Sequence, residues 1–281
     1  RAVPYLLVSA QQAYQHFANE TVIQLYRQAL SLMEAIAEAH TLQKEQAQVG
    51  LAQALKFTGE LEEASHLLME IVSQIPERSR YQPPSDPTAF EIKIEALREL
   101  ADIRAREGDL DYAVQLLRQG MELLGEAGRK SFPIIWRRLA DRLAWVYFRQ
   151  RNLDEAYNLA DLALLDTRTW EAEDPITMAS LYNTIGGIYW TRSRYADAID
   201  SVEHSLEIYR KLHYHWGMAN AFSRLIGSLL GGALRDTVTQ LVNNPVTGYL
   251  SVFGVEALLL LASLWMLTRI DVGAFRQQAQ K

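Results

Sequence analysis

The chain has 281 residues, 49% of them hydrophobic and 22% charged, with a formal net charge of −6 and no cysteine. That balance supports a buried core, and the negative charge argues against nucleic acid as the main ligand, because phosphate binding calls for a basic face. The lack of cysteine excludes a disulfide framework and a thiolate metal site.

Taken from the N-terminus, Arg1 leads into an amphipathic helix rather than the charged-then-apolar pattern of a secretory leader. With no starting Met, the chain is expected to be cut from something longer. Small or apolar residues then recur at Val22, Ala64, Ala113, Ala156 and Ala198, at intervals of 42, 49, 43 and 42 residues. Twelve positions before each stands another: Ala10, Ala52, Ala101, Ala144 and Gly186. A unit of this length is the signature of stacked helix pairs, here about five of them. Small residues at matching places let two helix backbones approach closely. Gly59 and Gly108 stand where the first helix of two units should end in a positive φ, and Arg151 and Ser193 take that place in two others, which reads as degenerate turns.

The longest interval holds Pro76, Pro83, Pro84 and Pro87. Proline cannot continue a helix, so residues 76–88 are expected to form a surface link inside the array. A second break runs from Thr167 to Pro175, where Asp174-Pro175 is suited to starting a helix. Tyr26, Leu68, Leu117, Tyr147, Tyr182 and Tyr189 fall in stripes at helical spacing and are expected in the core.

Ser180 to Arg210 carries the clearest unit. Tyr182, Ile185, Gly186 and Tyr189 lie on one helix face, Arg192, Ser193 and Arg194 interrupt it, and Ala198, Val202, Leu206 and Tyr209 mark the second helix. This pattern resembles the tetratricopeptide repeat. The resemblance implies an all-α fold, a right-handed array of antiparallel helix pairs over residues 1–225, whose concave face binds a protein or peptide segment. Carried over position by position, the inner-face residues are Glu95, Arg98 and Asp102, then Arg138, Asp141, Trp145 and Arg149, then Asn183 and Trp190. Trp and Arg dominate binding hot spots, and Asn can hold a peptide backbone through its donor and its acceptor. Intrahelical pairs such as Arg138 with Asp141 are the alternative reading of the same face. The Lys/Asn/Arg clamp with which the family grips a free C-terminus is missing from matching positions. The opening RAVPYLLVSAQQAYQHFANETVIQLYRQALSLMEAI also resembles the helical repeats that follow the ATPase module in bacterial nucleotide cyclases and LuxR-type regulators.

Residues 226–281 differ in character. Tyr249 to Leu267 is a 19-residue apolar run with one charge, Glu256, and with Tyr249 and Trp265 near its ends. At ~1.5 Å per residue it spans a hydrocarbon layer of ~30 Å, and aromatics anchor such helices at the interfaces. A transmembrane helix contacting lipid or other membrane helices is therefore expected, with a buried helix or an array cap as the other reading. Arg269, Arg276 and Lys281 place its C-terminus on the cytoplasmic side, and the repeats share that side if Leu225–Leu241 also crosses. Arg235 and Asp236 interrupt that segment, so an interfacial hairpin stays open. GSLLGGALRDTVTQL, NPVTGY and RIDVGAFR, within residues 227–276, resemble the last spans of major-facilitator-type membrane proteins that deliver or assemble (bacterio)chlorophyll.

The sequence holds no phosphate-binding loop, no GxGxxG, no HExxH and no GxSxG, so no enzyme activity, cofactor or metal is expected. His213-Tyr214-His215 has no carboxylate at ligand spacing and reads as a surface or partly buried pair. Three functions follow: a membrane-attached repeat scaffold for protein segments, a regulatory fragment of an ATPase-linked signalling protein, and a pigment-assembly component. The repeats are expected on the cytoplasmic side of a membrane, or free in the cytoplasm.

Overall fold

Each small residue that sets the period is buried. Ala10, Ala52, Ala101 and Ala144, and their partners Val22, Ala64, Ala113, Ala156 and Ala198, are at most 1% exposed, and Gly186 is buried too. The computed structural model describes residues 2–15, 18–36, 41–75, 87–165, 173–215 and 217–225, with positions 237, 238, 241, 247 and 254 beyond them. Among the described residues its elements include four helix pairs, α1 (Val3–Gln15) with α2 (Asn19–Ile36), α3 (Thr41–Thr58) with α4 (Leu61–Val72), α5 (Pro87–Glu107) with α6 (Leu110–Ser131) and α7 (Pro133–Arg149) with α8 (Leu153–Leu164), followed by α9 (Pro175–Thr191) and α10 (Tyr195–Lys211).

The helix ends follow from local chemistry. Helices α5, α7 and α9 start on Pro87, Pro133 and Pro175, where a missing N–H costs nothing and φ is already helical. Asp174 caps α9, accepting from the Thr177 hydroxyl at 2.9 Å. The turns after α3, α5, α7 and α9 are one turn repeated. Gly59, Gly108, Arg151 and Ser193 all have positive φ, at 91°, 95°, 66° and 59°. In each, the next backbone N–H reaches back to a carbonyl in the last helical turn: Glu60 to Leu55, Asp109 to Arg104, Asn152 to Tyr147 and Arg194 to Tyr189, at 2.9–3.0 Å. The expected degeneracy at 151 and 193 is thus one of residue type and not of backbone.

Two compact units divide the chain, Arg1–Ile188 and Tyr189–Lys281. In the first, each helix packs on the next from α1 to α8, and the first helices also touch across pairs, α3 on α5 and α5 on α7. Helices α3, α5 and α7 therefore make a continuous inner layer. Leu55, Leu68, Leu97, Leu100, Leu117 and Leu139 are fully buried in one core, each contributing roughly 1.5–3 kcal/mol of transfer free energy. Of the expected core tyrosines, Tyr147 is buried, whereas Tyr26, Tyr182 and Tyr189 are half-buried.

In the second unit α10 buries the face read from sequence: Ala198, Val202, Leu206 and Tyr209. His213 and His215 are exposed. Residues 76–86 of the proline link lie outside the described residues, as do Tyr249, Glu256 and Trp265 of the expected span. Among the described residues, no helix is long and apolar enough to cross a membrane.

Candidate functional site on the inner helices

The inner layer of the first unit holds a groove of about 610 Å³. Its walls come from first helices: Gln11 and Tyr14 of α1, Gln46 and Gln53 of α3, Glu91 and Glu95 of α5, and Ile135 and Arg138 of α7. One second-helix residue joins them. Tyr26 of α2 lies over Gly50 of α3 so closely that a Cβ at 50 would stand 2.5 Å from the phenol oxygen. Only glycine lets this ring into the groove, and burial pushes its hydroxyl pKa up.

Beneath this groove runs a layer of buried charge. Lys56 of α3 reaches Glu99 at 2.5 Å and Asp102 at 2.7 Å, both on α5. Arg142 of α7 reaches Asp102 from the other side at 2.9 Å, and Arg106 approaches it at 3.3 Å. Arg98 pairs with Glu95 at 2.5 Å and with Glu99, while Gln53 donates to both glutamates. Burial alone would push these carboxyls up. Arg142, Lys56 and Arg106 outweigh it at Asp102 and hold it well below the usual carboxylate range. Lys56 and Arg98 bring Glu99 down to about 2. Arg98 itself is raised, because Glu95 and Glu99 outweigh its own desolvation. This is a network in which three successive first helices are joined by charge.

The inner positions read from the sequence fall into three groups. Arg98, Asp102, Arg138, Asp141, Trp145 and Arg149 gather on α5 and α7 of the first unit. Asp102 is 1% exposed, and its carboxylate faces three cations of this chain. Asp141 is buried too; burial outweighs Arg142 and a Ser180 hydrogen bond, and raises its pKa. The intrahelical pair of Arg138 with Asp141 does not form: Arg138 instead reaches Asp174, before α9, at 2.6 Å. Trp145 is half-buried, with the guanidinium carbons of Arg142 and Arg149 at 5.2 and 5.1 Å from its ring centre. Arg149 also donates to the Ala105 carbonyl at 3.1 Å. Asn183 of α9 is 6% exposed and its side-chain oxygen has no hydrogen-bond partner among the described residues. Trp190 belongs to the second unit and is 37% exposed.

Sequence reasoning missed Lys56, Glu99, Arg142 and the Tyr26–Gly50 contact. A signal existed for the first: Lys56 stands four residues after the buried Ala52, on the same side of α3. Among the described residues no cluster of His, Asp and Glu could hold a metal ion.

The fold is that of tetratricopeptide-like repeats. A putative kinesin light chain with such repeats, from Podospora anserina, superposes with a TM-score of 0.55 at 18% identity, over 75% of this chain and 96% of that one. A tetratricopeptide repeat protein of Thermus thermophilus gives 0.53 at 18% identity, over 82% and 100%. A signal-transduction ATPase with a tetratricopeptide repeat sensor, from Pyrococcus horikoshii, gives 0.56 at 16% identity, over 89% of this chain and 35% of that one. At such identities the likeness concerns the fold. Residues 214–275 match the PUCC protein family, beginning three residues after α10 ends. No curated protein shows significant similarity to the chain.

Proposed function

We propose that residues 1–225 form a non-catalytic scaffold that binds a protein segment along its inner helices, and that residues 226–281 attach it to a membrane with the repeats on the cytoplasmic side. The observation that carries this reading is the groove on the inner layer, whose walls combine amide, phenol, carboxylate and guanidinium groups; further along the same helix as its Arg138, the half-buried Trp145 stands beside Arg142 and Arg149. A groove with a few convergent polar groups is a binding site by default, and Trp with Arg is the composition of a hot spot. The membrane part is supported by the 19-residue run from Tyr249 to Leu267 with its single charge.

The test is selection of peptides from a random library on the full chain, followed by alanine substitution. Trp145→Ala and Arg138→Ala should each weaken a selected peptide by ~1–2 kcal/mol with the helical content unchanged. Selected peptides that bind both variants as they bind the parent would place the site elsewhere. For the tail, the full chain should float with liposomes while a chain ending at Gly217 stays in the aqueous phase.

A second reading, assembly of photosynthetic pigment, is favoured by the PUCC family match at residues 214–275. Absorbance of (bacterio)chlorophyll in the purified chain would support it, and pigment-free protein from a pigmented host would count against it.

A further inference from the structure

Helix α10 sorts its charges along its length. Asp197, Asp200, Glu203 and Glu207 come first, and Arg210 and Lys211 close it. Cations in a last turn suit the helix dipole, and that effect ends with the turn. Here the sorting continues beyond it. From Ile208 to Arg235 the sequence has no Asp or Glu, while it holds Arg210, Lys211, Arg224 and Arg235. In a chain of net charge −6 this stretch reverses the sign.

The backbone folds its first part into a hairpin. His213 takes a positive φ of 53°, and the Tyr214 N–H reaches back to the Tyr209 carbonyl at 3.0 Å, as in the turn after α9. Residues 217–225 are helical. Gly217 lies against the Tyr209 and Tyr214 rings so closely that a Cβ there would stand 2.7 Å from Tyr209 Cδ1. Arg210 then reaches across to Phe222, its guanidinium carbon 5.4 Å from the ring centre. The hairpin's open surface is apolar and basic. Phe222 and Leu212 are each 40% exposed, and Arg210, Lys211, His213 and His215 are exposed as well. The acids of α10 leave Arg210 unneutralised. Arg194 holds Asp197 at 2.7 Å, and Lys211 holds Glu207 at 2.8 Å. Asp200 and Glu203 stand about two turns or more before Arg210. Among the described residues the Arg210 guanidinium has the Phe222 ring and no carboxylate.

A ring that holds a guanidinium by its face leaves the N–H edge to a phosphate, which guanidinium grips with two parallel bonds. Exposed Phe and Leu beside exposed cations is the composition that sits between headgroups and acyl chains. A soluble polyanion offers nothing to the two apolar side chains, and an apolar protein surface offers nothing to the cations. We infer that the hairpin of residues 208–225 lies on a bilayer surface of anionic phospholipid, with Phe222 and Leu212 at the acyl boundary and Arg210 and Lys211 among the headgroups. The inference rests on the membrane attachment proposed above. It adds a lipid preference that the run from Tyr249 to Leu267, with its single charge, does not supply.

The chain has no cysteine, so single cysteines can carry an environment-sensitive dye at chosen places. Ser223→Cys puts it beside Phe222 and Ser31→Cys puts it on α2, both at exposed positions. The full chain is mixed with vesicles of phosphatidylcholine alone or with phosphatidylglycerol added, and flotation is read alongside dye emission. With the hairpin on the surface, the dye at 223 shifts further to the blue on the anionic vesicles than on the neutral ones, and position 31 stays silent. Raised salt should shrink the difference. Arg210→Gln combined with Lys211→Gln should bring the anionic shift down to the phosphatidylcholine value with an unchanged thermal melt, because both side chains are exposed. Phe222→Ser should reduce the shift on both. Flotation on both vesicle types with no shift at 223, with equal shifts, or with a full anionic shift in the double variant would overturn the inference and leave the attachment standing. An anionic shift without flotation on phosphatidylcholine would remove the attachment by the tail and keep the hairpin. Neither flotation nor shift would remove both. An equal shift with a single-stranded oligonucleotide would assign the hairpin to soluble polyanions, against the inference.

Discussion

Two interfaces of the first unit are built from opposite materials. Within a helix pair the contact is alanine on apolar side chains, as at Ala144 and Ala156, both fully buried. Between the first helices of successive pairs it is charge, with Lys56 of α3 and Arg142 of α7 meeting on Asp102 of α5. The apolar contact has no preference among partners beyond shape. The ionic one is satisfied only where Lys56, Asp102 and Arg142 face one another.

That difference predicts unequal responses to damage. Asp102→Ala should be the most harmful change, because it leaves Lys56 and Arg142 in the interior without their anion. Removing one member of a buried ion pair costs about 3–5 kcal/mol, to be read by urea denaturation at pH 7. A loss below 1 kcal/mol would mean that water already solvates these cations. The pH profile carries the same signature. Asp102 and Glu99 have folded pKa values below their unfolded ones, so their stabilisation is complete above the ordinary carboxylate value of ~4. It is lost as the pH falls through the folded values, about 2 for Glu99.

Ala144→Leu attacks the other interface by adding volume where the helices touch. Overpacking of this kind costs about 1–3 kcal/mol, with no dependence on pH. An unchanged denaturation midpoint would contradict the place of Ala144 in the pair contact.

Asp141→Asn is expected to stabilise. Burial raises the Asp141 pKa, so the folded state holds its proton more tightly than the unfolded chain. Stability is therefore lost as the pH rises from ~4 through the folded value. An amide keeps the size and can keep the Ser180 hydrogen bond without the charge. The gain at pH 7 should be up to about 1 kcal/mol, and it should vanish near pH 4. A loss at pH 7 would show that the ionised carboxylate is stabilised by the cations around it.

The same contrast explains what could be read from the sequence. The helix pairs were legible because their contacts repeat: Ala10, Ala52, Ala101 and Ala144 return at the same distance from their partners, and periodic apolar packing leaves periodic letters. Asp174-Pro175 announced the start of α9 by local chemistry alone. Of the positions read as an inner face, Arg98 and Asp102 lie on α5, and Arg138, Asp141, Trp145 and Arg149 on α7. Their roles were not legible. Asp102 is buried because Lys56 lies 46 residues earlier and Arg142 lies 40 later, and no local pattern ties three such residues together. Tyr26 enters the groove because Gly50 lacks a Cβ, a relation between two helices that neither helix displays.

The smallest expected effect concerns the turns inside the pairs, where sequence and backbone part company. Gly59 and Gly108 take the positive φ without strain, and Arg151 adopts it as an ordinary residue at 66°. An L-residue held in that region costs roughly 1–2 kcal/mol, because its Cβ crowds the neighbouring carbonyl. Arg151→Gly relieves this cost, while the freer unfolded chain takes back roughly 0.5–1 kcal/mol. The net gain should be about 0.5–1 kcal/mol. The reverse exchange isolates the backbone contribution, since a Cβ at Gly59 or Gly108 meets no atom within 4 Å. Gly59→Ala and Gly108→Ala should each lose about as much as Arg151→Gly gains, with the four turns otherwise alike. If the two Gly→Ala variants lose stability and Arg151→Gly gains none, the arginine side chain stabilises its own turn, and the turns are alike in conformation but not in what holds them.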